Sequence, residues 1–171
     1  MYRRKSQPAG DALAFRAPEL LRAGPVDDSI FARACASIGV TPAQVLRAEW
    51  IDNGPGWIGL VLDSVDTVRS LTPNYEAMAG LAVGVLGIDA TGSTDVEVRA
   101  FAPSIGEDPV TGSLNAAFAV WLTREGYLPA NYTVRQGTAL GRQGEVSITT
   151  DSQGIWVGGR SQTVVSGVIS L

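Results

Sequence analysis

Gly106-Glu107-Asp108-Pro109-Val110-Thr111-Gly112-Ser113 runs directly into the apolar stretch Leu114-Asn115-Ala116-Ala117-Phe118-Ala119-Val120-Trp121-Leu122. Thr, Gly and Ser read as the start of a helix, because small hydroxyl residues suit the cap and Gly exposes the backbone. The run that follows is apolar all round apart from Asn115. A helix with no polar face must be buried on every side rather than laid on a surface. Strand-like segments lie on both sides of it in the chain, so the expected fold is α+β, a mixed, barrel-like sheet wrapped around one central buried helix.

Before the junction, Ala48 to Asn53 and Trp57 to Leu62 read as strands joined by the turn Asn53-Gly54-Pro55-Gly56. Leu81 to Ile88 is β-branched and Gly-interrupted, and Val96 to Phe101 alternates as a half-buried strand does. Helix is expected from Asp27 or Asp28 to Ile38, ended by Gly39, with the two acids placed to serve its first turn. Short helical turns are expected over residues 43–46, 63–71 and 72–78. Residues 1–26 read as turn-rich, with Leu13-Ala14-Phe15 the strand-like part. After the apolar helix come strands at 131–136, 145–149 and 155–158, and one or two more over 161–171.

The same junction carries a candidate site. The first N–H groups of a helix have no partner within the helix and attract anions such as carboxylate or phosphate. Placing Asp108 and Glu107 beside that end suits proton transfer next to a substrate carboxylate. Capping also explains Thr111 and Ser113, and an acidic turn explains the two carboxylates; Gly112 is harder to explain that way, since Gly lets a ligand approach the backbone. Gln136-Gly137 with Gly141-Arg142, and Gly158-Gly159-Arg160, read more simply as turns with solvated Arg than as phosphate loops. Trp50, Trp57, Trp121 and Trp156 read as core residues, and Asp52-Asn53 as turn chemistry.

Composition narrows the function. Apolar residues make up 45% of the 171 and charged residues 18%, as in a globular chain. A net charge of −4 leaves no basic stripe for nucleic acid. The basic run Tyr2-Arg3-Arg4-Lys5 precedes no apolar segment, so it does not read as a secretory signal. No stretch reaches the roughly 18 apolar residues of a membrane span, and a soluble, cytoplasmic protein is expected. Cys35 is the sole cysteine and sits in a helical apolar pattern, as a buried small hydrophobe would. There is no histidine, which removes Ser–His and Cys–His nucleophile pairs and leaves acid–base work to carboxylates, Tyr, Lys or Cys.

Several of these segments together resemble the PhzF-like, phenazine-biosynthesis isomerase family. The likeness lies in Glu107 to Ser113, the preceding Val98-Arg99-Ala100-Phe101-Ala102-Pro103, Trp50 to Pro55, Gln136-Gly137 with Gly141-Arg142, Val157-Gly158-Gly159 to Gly167, and Leu13 to Pro18. The resemblance implies a diaminopimelate-epimerase-like fold of two similar domains, with a cleft where two helix N-termini face each other. On that pattern residues 1–26 are a remnant of the first domain and 27–171 form the second, with the last strand, about 161–171, packing back on the first. It implies that Asp108 is the catalytic carboxylate of this half and that Thr111, Gly112, Ser113 and Glu107 bind substrate. It also implies cofactor-free, metal-free proton transfer on a small anionic metabolite, and either a homodimer or pairing with a separate N-terminal half. The family's Glu-Thr-x-Phe-like and Gly-His-Pro segments have no counterpart here. The expectation is therefore half of an isomerase site, inactive alone, the alternative being a non-catalytic ligand-binding or assembly module that keeps the fold.

Overall fold

The computed structural model describes residues 2–7, 10–89, 95–162 and 164–168. Eleven strands form one mixed sheet: β1 (Tyr2–Gln7), β2 (Gly10–Arg16), β3 (Arg22–Pro25), β4 (Val45–Asp52), β5 (Trp57–Leu62), β6 (Ala82–Ile88), β7 (Val96–Ala102), β8 (Gly106–Asp108), β9 (Asn131–Gln136), β10 (Gly144–Asp151) and β11 (Gly154–Arg160). The helices are α1 (Asp28–Ile38), α2 (Val65–Ser70), α3 (Tyr75–Met78) and α4 (Gly112–Arg124).

The strands follow the order β1-β2-β11-β10-β9-β7-β6-β5-β4-β3, with β8 added to β7. The pairs β5–β6 and β7–β9 are parallel, and the rest are antiparallel. Each parallel pair is bridged by helix, β5–β6 through α2 and α3, and β7–β9 through α4. Among the described residues no ladder joins β1 to β3, so the sheet stays open where a closed, barrel-like wrap is expected. Closure there would fall on β3, which has four residues and ends in Pro25 without an N–H to donate.

Burial explains the strand sequences. All six residues of β5 are buried, as in a strand covered on both faces. Trp57 and Val61 face a core built around Leu114, Phe118 and Leu122 of α4, whereas Ile58, Leu60 and Leu62 face a second core with Ile38, Val68 and Met78 of the other helices. Every residue of α4 from Leu114 to Leu122 is buried, as the apolar run requires. Two glycines let α4 approach the sheet. A Cβ on Gly59 would stand 2.5 Å from Ile51 Cδ1 and 3.0 Å from Phe118, and one on Gly84 would run into the Leu114 side chain. Trp50, Trp57, Trp121 and Trp156 are all core residues, and Cys35 is buried, which pushes its thiol pKa up.

Local differences have local causes. Asp27 occupies the N-cap of α1 without a side-chain cap bond, so the acids there act only through their charge. The N-terminal segment is richer in strand than expected, because β2 pairs with both β1 and β11, and β3 with β4. Tertiary pairing overrides a weak local pattern. In the described part of 161–168 there is no strand: Val164, Val165 and Val168 are 85–97% exposed, with no neighbouring strand to pair. Residues 163 and 169–171 of that expected element lie outside the described residues. No helix among those described is long and apolar enough to cross a membrane.

Candidate active site

The site is assembled where β7, β8, β9 and α4 meet. Gly106, at φ 81°, turns the chain back on β7, so that Phe101 pairs with Glu107 and Ala100 with Asp108. Pro109 and Val110 follow, exposed, and α4 begins at Gly112.

Thr111 holds the N-cap position of α4, yet its side chain makes no cap bond. Its hydroxyl instead donates to Asp108 Oδ2 at 2.9 Å and accepts from Gln136 Nε2 at 2.9 Å. Gln136 is fully buried at the end of β9. Its Nε2 also donates to the Asp108 carbonyl at 2.9 Å, and its Oε1 accepts from Thr111 N at 3.0 Å and Asn115 Nδ2 at 2.8 Å. Asn115 Nδ2 also reaches the Thr111 carbonyl at 2.9 Å, leaving Asn115 Oδ1 buried without a partner among the described residues. A single side-chain amide thus ties the end of β8 to the first turn of α4.

Among the described residues, the N–H groups of Gly112, Ser113 and Leu114 make no hydrogen bond. Ser113 is held from the other side: Trp57 Nε1 donates to its Oγ at 3.1 Å, and Asn53 Nδ2 to its carbonyl at 2.8 Å. Gly112 has its α-carbon side against the Phe15 ring, where a Cβ would come within 3.3 Å. Among the described residues Asp108 Oδ1 receives only a long 3.4 Å bond, from Val110 N. A cavity of about 890 Å³ opens beside this end of α4, with Gly112, Val110, Phe15, Arg142 and Gly158 among its walls.

Glu107 lies apart from these groups. Its oxygens accept from Arg99 Nε and Nη2, both at 2.8 Å, in a pair only 5% and 8% exposed. Arg99 Nη1 donates onward to the carbonyls of Val68 at 3.1 Å and Leu71 at 2.9 Å, at the end of α2. Burial, reinforced by the Glu107 charge, pushes the Tyr75 phenol up, and Arg99 opposes that shift. The structure therefore gathers Asp108, Thr111, Gly112 and Ser113 at one helix end, while Glu107 reaches it through the backbone of β8. Among the described residues no three Cys, Asp or Glu side chains stand together as a metal cage would.

Gln136, Arg99 and Asn53 stand in the sequence as parts of turns and a strand segment, with nothing local to give them a role at this site. Gln136 follows Tyr132 and Val134 on the core-facing side of β9, and a polar residue at a core position is the signal that marks it. Asp52 Oδ1 does bond Gly54 N and Gly56 N, as turn chemistry requires, but Asn53 reaches α4.

The family model for phenazine biosynthesis-like protein (PhzC-PhzF) matches residues 25–167. The chain belongs to this family. Antisense-enhancing sequence 1 of Schizosaccharomyces pombe is 31% identical over 139 residues, 73% of this chain and 47% of that protein. The trans-2,3-dihydro-3-hydroxyanthranilate isomerase of Pseudomonas fluorescens is 28% identical over 131 residues, 74% of this chain and 42% of that one. The Bacillus anthracis PhzF-family protein superposes with a TM-score of 0.71 at 16% identity, over 93% of this chain and 61% of that structure. The chain spans under half the length of these two curated relatives, and the structural likeness bears on the fold alone.

Proposed function

We propose that this PhzF-family chain supplies one side of an isomerase or epimerase site that moves a proton on a small carboxylate-bearing metabolite, without cofactor or metal. The observation that carries the reading is the set of unbonded amides at Gly112, Ser113 and Leu114 next to Asp108, on a helix end braced by Gln136, Asn53 and Trp57. In this reading the sheet curls about α4 and the amides hold the substrate carboxylate, where aligned N–H groups favour an anion. Asp108 exchanges a proton at the neighbouring carbon, and Glu107 holds β8 in place. The opposite face of the substrate needs a second acid or base in reach, supplied across a homodimer or by a separate N-terminal half carrying the family's glutamate.

The test follows deuterium incorporation from D₂O into trans-2,3-dihydro-3-hydroxyanthranilate and related amino acids. The chain alone is expected to give no robust turnover, and turnover by the pure chain overturns that expectation. With the complementary half added, Asp108→Asn is expected to abolish exchange. The second reading, a binding or assembly module, rests on the sequence having neither histidine nor the Glu-Thr-x-Phe-like segment. Ligand binding and assembly left unchanged by Asp108→Asn, with no exchange in any pairing, favours it.

A further inference from the structure

We infer that Gln136 is a positioning residue that fixes the direction of the Thr111–Asp108 hydrogen bond and leaves Asp108 Oδ1 as the atom that exchanges the proton. The inference rests on the proton-transfer reading above and names the atoms of that site.

Backbone groups have a fixed hydrogen-bond sense. The N–H of Thr111 can only donate and the carbonyl of Asp108 can only accept, and both meet the Gln136 amide. Oε1 must therefore face Thr111 N, and Nε2 must face the Asp108 carbonyl; the reverse orientation sets two donors and two acceptors against each other. With Nε2 so placed, its second hydrogen points at Thr111 Oγ1. The hydroxyl, accepting there, turns its single proton to its other neighbour, Asp108 Oδ2. Oδ2 is then held as an acceptor, and Oδ1 is left with one long bond from Val110 N. A carboxylate so divided has one oxygen for orientation and one for chemistry.

Asn115 obeys the same logic. Both neighbours of its Nδ2, the Thr111 carbonyl and Gln136 Oε1, are acceptors, so its amide cannot turn over. Its Oδ1 is consequently buried and unpartnered among the described residues, in a residue 1% exposed. An unmet buried acceptor costs stability. The network is thus directional throughout, from the core towards Asp108.

NMR on the full chain tests this without substrate. The Thr111 hydroxyl proton is expected to be visible, in slow exchange, with cross-relaxation to the Gln136 side-chain NH₂. In Gln136→Met, which keeps the volume but removes the amide donor and acceptor, nothing orients the hydroxyl, and its exchange should accelerate by about tenfold or more, roughly the worth of one hydrogen bond. Thr111→Val serves as the second variant: it keeps the backbone N–H, and the Gln136 NH₂ protons should exchange faster while α4 amides from Ala116 onward stay protected. A Thr111 hydroxyl that exchanges freely in the unmodified chain, or one that stays ordered in Gln136→Met, overturns the inference. Acetate titration keeps the two readings apart. If acetate fails to shift the amides of Gly112, Ser113 and Leu114 while the hydroxyl behaves as described, the anion site falls and the directional network stands.

Discussion

Replacing Glu107 by Leu removes one half of a buried ion pair and strands the other. The Arg99 guanidinium is 5% exposed and presents two N–H groups to the carboxylate at 2.8 Å. Its other contacts, which include the carbonyls of Val68, Arg69 and Leu71 and the Phe101 ring, keep it in place and do not neutralise it. Breaking such a pair from one side costs about 3–5 kcal/mol, because an uncompensated charge stays buried. Glu107→Gln keeps one acceptor oxygen but not the charge, and turns its NH₂ towards an Arg99 N–H, so it too strands the guanidinium and costs about 3–5 kcal/mol. Urea unfolding followed by tryptophan fluorescence reads both: with a slope near 2 kcal/mol/M, the Leu variant moves the midpoint down by about 1.5–2.5 M. Little of that loss should respond to salt, since a buried pair is screened far less than an exposed one. Arg124–Glu19, with side chains 65% and 83% exposed, is the internal control; Arg124→Ala should change stability by no more than about 0–1 kcal/mol. A Glu107→Leu variant within 1 kcal/mol of the parent chain would refute the reasoning, by showing that water reaches the pair.

Two further outcomes are expected. Tyr132 is 4% exposed, and burial raises its phenol pKa far above the ordinary value of 10.0. A raised acid gives stability that is complete below the unfolded pKa and drains away as pH climbs towards the folded one; Tyr132→Phe should therefore flatten the loss of melting temperature measured above pH 10, and an unchanged alkaline profile refutes this. Gly84→Ala should cost about 1–3 kcal/mol by overpacking Leu114, yet close to nothing when Leu114→Ala has cleared the space; equal costs in both backgrounds, measured by thermal unfolding, exclude that clash.

What could be read beforehand depended on where each residue's partner lies in the chain. The burial of α4 was legible because an apolar run leaves no solvent face, and the β4–β5 hairpin because Asn53-Gly54-Pro55-Gly56 carries its own turn. The start of α4 was legible for the same local reason, from Thr111, Gly112 and Ser113. The role of Gln136 was not, because its partners Asp108, Thr111 and Asn115 are 21 to 28 residues away. Arg99 and Glu107 are 8 residues apart, but their pairing waits on the turn at Gly106 that creates β8. The strands in the first 26 residues were obscure for the strongest reason of this kind, since β2 finds one of its two partners in β11.

That last pairing sets a timetable for synthesis. Phe15 aligns with Val157 and Ala14 with Gly158, so β2 leaves the ribosome long before its partner exists. At about 5–20 residues per second, the 144 residues from Arg16 to Arg160 take roughly 7–30 s. Throughout that interval the antiparallel pair β1–β2 carries an open edge. The middle strands β4 to β7 and the helix they need are all made within that time and can assemble first. β1 and β2 are thus made well before they are seated, and a holdase acting on this nascent chain would find its footing there.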